Sequence, residues 1–106
     1  MLTEFSKSKI YVITTDEAPL IYIGGTTDAN LDDVLVAHIA KADPRSDIAL
    51  YSAMGCIGGH RFSIKLARPV SCENQLELDF AVERVAEFFR RKGTPLFNDL
   101  TITADD

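Results

Sequence analysis

The chain is predicted to fold as an α+β domain, a small three-stranded antiparallel sheet flanked by helices in the order β-β-α-α-β-α. Three observations predict it. Two short runs near the start, Ile10–Ile13 and Leu20–Ile23, are rich in β-branched and aromatic residues. A third run alternates Phe62, Ile64 and Leu66 with Ser63, Lys65 and Ala67, which gives a strand one buried face. Two longer segments, about Leu31–Ala42 and Glu73–Lys92, carry apolar residues at helical spacing.

The first two runs read as a hairpin. The polar stretch from Thr14 to Pro19 between them predicts a longer loop. Gly24 and Gly25 lie at the hairpin exit, where glycine serves flexibility or close approach of another group. Asp28 or Asn30 is available to cap the first helix. In that helix Leu31, Val34, Leu35, His38 and Ile39 share one face, and Asp32 and Asp33 suit the dipole of its first turn. Asp43-Pro44 stops it. A shorter helix is expected to start at Ser46-Asp47 and end in the glycine-rich stretch from Gly55 to Gly59. The third strand leaves at Pro69 and Ser71.

The last helix has an apolar stripe of Leu78, Ala81, Val82, Val85, Phe88 and Phe89, with Gly93 as a natural residue just past its end. Asp79, Glu83 and Glu87 flank the stripe as a solvated face, and Glu87 can pair with Arg91 one turn on. The termini, 1–8 and 99–106, read as short, loosely held ends.

Composition bounds the function. With 106 residues, 46% hydrophobic and 25% charged, the chain suits one globular domain, 1–106. The net charge of −5 disfavours a grip on nucleic-acid phosphates, for which a basic footprint is expected. The one dense basic run, Arg90-Arg91-Lys92 with Arg84 before it, lies where a helix C-terminus favours cations anyway. No apolar run approaches the ~20 residues of a membrane span, and no signal peptide is evident. Cys56 and Cys72 make no disulfide framework, which points to a reducing, cytoplasmic setting. With His38 and His60 they could in principle hold zinc, as the Cys56–His60 spacing allows, but no close cysteine pair supports such a site.

Lys9-Ile10-Tyr11 followed by Tyr22-Ile23-Gly24 resembles the paired motifs of the GIY-YIG endonuclease family. The likeness continues through His38, through Tyr51-Ser52-Ala53-Met54-Gly55 and Arg61–Leu66, and through Phe88-Phe89 to Asn98. It covers about 9–98. The resemblance implies proton transfer by Tyr11, a cleft shared with Tyr22 and His38, and binding roles for Gly24, Gly25 and Asn98. It also shows departures. The family's first motif glycine is Lys9 here. Its phosphate-holding arginine falls on Val34, and its metal-binding glutamate on Val85 or Ala86. Losing one such charge costs about 100- to 1,000-fold in rate, and two that act as a unit leave little catalysis.

The expectation is therefore a catalytically degenerate GIY-YIG-like domain, a binding or regulatory module for a protein or nucleic-acid partner. One alternative is a divergent DNA endonuclease that recruits Glu83 or Glu87 for magnesium or manganese and Lys65 or Arg61 for phosphate. A minor alternative is a self-associating structural protein. Without the resemblance, Tyr11 and Tyr22 read as core fillers and His38 as a hydrogen-bonded, half-buried residue.

Overall fold

The computed structural model describes residues 4–100; the expected loose ends at 1–3 and 101–106 lie outside the described residues. The sheet has the order β2-β1-β3 and is antiparallel throughout, with β1 Ser8–Thr15, β2 Ala18–Thr26 and β3 Phe62–Val70. The helices are α1 Leu31–Ile39, α2 Ala49–Ile57 and α3 Gln75–Arg91. The predicted element order and fold class hold.

The hairpin is tighter than expected. Asp16 and Glu17 alone connect the strands, and Thr15 faces Ala18. The Thr15 hydroxyl accepts the Glu17 N–H at 3.3 Å and steadies the turn. Pro19 is no loop marker because β2 is an outer strand, where a missing N–H is tolerated. The free edge of β2 is then covered by the segment that follows α3. The Ile21 N–H donates to the Pro95 carbonyl at 3.2 Å, and Ile21 pairs with Leu96 in a parallel bridge.

Strand alternation divides the sheet into two faces. Tyr11 and Ile13 point to one, beneath α1 and α2, in a core with Val34, Leu50, Met54 and Phe97. Ile10 and Ile23 point to the other, packed with Ala86 of α3 and Leu96. Gly25 opens onto this second face. A Cβ there would stand 2.8 Å from Leu78 and Val82, so the glycine admits α3 to the sheet.

Helix ends follow local chemistry. The Asn30 side chain caps α1 by accepting the Asp32 N–H at 2.9 Å. This helix stops at Ile39, short of Ala42, because Lys41 and Ala42 donate to the carbonyls of His38 and Ile39 in tighter turns. The shorter helix α2 starts at Ala49, later than expected, since the Ser46 hydroxyl accepts the Ile48 N–H and holds a turn there. It ends inside the glycine-rich stretch, as expected, after passing Gly55. That glycine lies against the backbone of Asp43 and Pro44, so its role is close approach, and Gly58, with φ 109°, ends the helix. Asn74 caps α3 by accepting the Glu77 N–H, and Gly93, at φ 82°, follows it.

Three further expectations need correction. Ser8 and Asp99 are not loose ends: Ser8 is buried in β1, and Asp99 is ion-paired to Arg90. Leu66 is 51% exposed, because β3 extends beyond the cover of its core face and bulges at Ala67. Phe88 is 52% exposed, and Ala86 takes the buried place on α3.

Candidate functional site

Four side chains meet on the α1–α2 face of the sheet. Tyr11 comes from β1, Tyr22 from β2, His38 from α1 and Tyr51 from α2. Antiparallel register sets the two strand residues: Tyr11 faces Gly24, and Tyr22 faces Ile13. Helical spacing puts His38 one turn beyond Val34, which anchors α1 in the core.

The cluster is hydrogen-bonded as a chain. The Tyr11 Oη lies 2.7 Å from His38 Nε2, and the Tyr51 Oη lies 2.9 Å from His38 Nδ1. A neutral imidazole donates from one nitrogen and accepts at the other, so one phenol gives its proton to the ring and the other receives one. Tyr22 packs edge-on against His38, with ring centroids 5.5 Å apart. Among the described residues nothing hydrogen-bonds the Tyr22 hydroxyl.

Charge states follow from burial. Tyr11 is 3% exposed, and burial pushes its phenol well above the ordinary range, with Tyr22 and Tyr51 adding to the effect. Burial, then Tyr51, raises Tyr22 as well. Burial, then Lys41, lowers His38. At neutral pH Tyr11 and Tyr22 hold their protons beside a neutral imidazole. The site can relay or share a proton, but a phenolate at Tyr11 is opposed.

The two glycines of the second motif divide their roles. Gly24 lies under the Tyr11 ring, where a Cβ would collide with the phenol, so its missing side chain makes room for the tyrosine. Gly25 faces α3. Asn98 holds the backbone of Ile23 from the far side: its Oδ1 accepts the Ile23 N–H at 2.9 Å, and its Nδ2 donates to the Ile23 carbonyl at 2.8 Å. This amide completes the edge of β2 between Tyr22 and Gly24.

The remaining candidates lie elsewhere. Lys65 pairs with Val12 and stands on the α3 face, behind the sheet from Tyr11. Arg61 is ion-paired to Glu17 at the hairpin tip, at 2.8 Å. Glu83 is bonded to Arg90, which also holds Asp99 and reaches Glu87. The hydrogen bonds from Arg90 keep the Asp99 carboxyl below its ordinary range. Val34 and Ala86 are buried in the two cores, with Val85 packed beside Ala86. Among the described residues no three His, Cys, Asp or Glu side chains group to hold a metal ion.

Tyr51 is the site residue that reading the sequence left without a role. It sits thirteen positions after His38 (51 minus 38), across a turn whose path periodicity does not give. The available signal was an aromatic with a polar tip at the start of a helix facing a histidine.

Comparison with protein-family models, curated proteins and solved structures finds no match to this chain. Fold and site define an α+β domain built around a half-buried tyrosine–histidine–tyrosine network. No helix among the described residues is long and apolar enough to cross a membrane.

Proposed function

We propose that the chain is a GIY-YIG-like domain whose nuclease chemistry has been lost and which serves as a binding or regulatory module with a protein partner. The observation that carries this reading is the self-contained network at His38. Both ring nitrogens are bonded to tyrosine hydroxyls, at 2.7 and 2.9 Å. The position where the resemblance asks for a phosphate-holding arginine is Val34, buried in the same core as Tyr11. A guanidinium there would favour a phenolate and grip a phosphoryl oxygen; a valine does neither. Lys65 and Glu83, which the catalytic alternative recruits, do not join the cluster. The domain works in the cytoplasm on this reading, which suits its unpaired Cys56 and Cys72.

The test is cleavage of plasmid and branched DNA by the purified protein with magnesium or manganese, beside a Tyr11→Phe control. The expected result is no cleavage by folded protein. Cleavage that disappears in the control would overturn the reading in favour of a divergent metal-dependent endonuclease. The short Tyr11–His38 contact is what favours that second reading, since the imidazole could take the phenol's proton.

A further inference from the structure

The other face of the sheet carries a surface that the tyrosine–histidine site does not use. Helix α3 lies on β2 and β1 and leaves β3 largely uncovered. Between them runs a groove of ≈ 610 Å³, within the range of sites that hold a ligand or an anchoring side chain. Val12 and Val85 contribute to its apolar floor, and Phe88 stands at its side. Phe88 is held edge-on to Phe89, with Lys92 Nζ 4.4 Å from its ring centroid, so the wall is ordered although exposed.

Charge selects the occupant. Lys65, Arg68 and Arg84 all line the groove, and no carboxylate does. Among the described residues none of the three has an ion-pair partner. That concentration of unpaired cations belongs to a chain of net charge −5. An apolar floor edged with cations matches a peptide that offers both apolar and carboxylate side chains. A nucleic-acid backbone would leave the apolar floor unfilled. Pairing of β3 with β3 of a second copy is opposed by like charges, by the bulge at Ala67 and by Pro69, features that blunt an edge strand.

We infer that the groove between α3 and β3 docks a segment of a partner protein bearing apolar and acidic side chains together. This rests on reading the domain as a binding module. A phage-displayed library of random peptides, panned on the intact folded chain, tests it. Selected peptides should combine Asp or Glu with Leu or Phe. Their affinity, read by fluorescence anisotropy, should fall roughly tenfold or more in Arg84→Glu and in Lys65→Glu. Both positions are exposed, and circular dichroism checks that each variant is folded.

Recovery of no peptide overturns the inference, as does recovery of peptides without acids or indifferent to both substitutions. So does a result in which the substitutions abolish only binding of a DNA oligonucleotide, or only dissociate a dimer seen by sedimentation. DNA cleavage by the same protein would sink the binding-module reading itself, whereas absence of both cleavage and peptide binding sinks the groove alone.

Discussion

The Tyr11 ring occupies the space that a side chain at residue 24 would need, directly across the β1–β2 ladder from Gly24. Its hydroxyl is held by His38, so the ring cannot swing away without breaking that bond. Gly24→Ala should therefore overpack the core and destabilise the fold by about 1–3 kcal/mol. In a Tyr11→Ala background the same substitution should cost much less, because the obstacle is gone. Chemical denaturation of the four-member cycle measures the coupling. Equal costs in both backgrounds would mean that the glycine serves the backbone and not the tyrosine.

The two phenols on His38 differ in burial, so their removal should differ in cost. Tyr11→Phe leaves Nε2 facing a buried ring and should cost about 1–3 kcal/mol. Tyr51 is half-buried, and water can replace its hydroxyl at Nδ1, so Tyr51→Phe should cost less. The order of the two unfolding midpoints decides this, and the reverse order would place the better-sealed nitrogen at Nδ1.

His38 predicts a pH dependence. Burial, aided by Lys41, holds its folded pKa below the ordinary 6.5, and the Tyr11 and Tyr22 phenols beside it stay neutral. The unfolded chain thus takes up the His38 proton first as pH falls. Stability from this group is fully present above pH 6.5 and is lost below it, by at most about 1.4 kcal/mol per pH unit, until the folded pKa is passed. Denaturation curves of the parent and of His38→Gln, followed downward from neutral pH, should converge as the contribution fades. A constant difference between them would mean that His38 titrates alike in both states.

The order of elements was legible because each carried its own period: alternation in Phe62, Ile64 and Leu66, and helical spacing from Leu31 to Ile39 and from Leu78 to Phe89. What was not legible depends on layers. Leu66 and Phe88 fit their periods, yet both are exposed: Leu66 lies where β3 runs beyond the cover of its core face, and Phe88 lies on the side of α3 turned towards the uncovered β3. Pro19 looked like a loop residue because the sequence does not say which strand is outermost. Tyr11, Tyr22 and His38 were picked out and do meet in space, and Tyr51 joins them through a turn with no periodicity. Glu83 was a candidate through a shifted alignment of the last helix with the resembled family, and Lys65 and Arg61 as cations for a phosphate. Charge does not specify a face, and the fold leaves all three outside the cluster.

Asn98 offers the sharpest test of how the site is held. Its amide makes both hydrogen bonds that a neighbouring strand would give Ile23, which lies between Tyr22 and Gly24. Asn98→Ala removes both and leaves the Ile23 N–H and carbonyl facing a gap at the sheet edge. The expected cost is about 1–3 kcal/mol, nearer the lower end if water enters. The local signature should exceed the global one. Amide hydrogen exchange at Ile23 should accelerate well beyond what the loss of overall stability accounts for, while exchange at Val12, paired on both sides within the sheet, should follow overall stability alone. Asn98→Asp keeps an acceptor for the Ile23 N–H and loses the donor to its carbonyl, so its protection at Ile23 should fall between the two. If Ile23 exchanges no faster in Asn98→Ala than Val12 does, the amide is not what holds the edge of β2, and the bridge from Ile21 to Leu96 carries that edge instead.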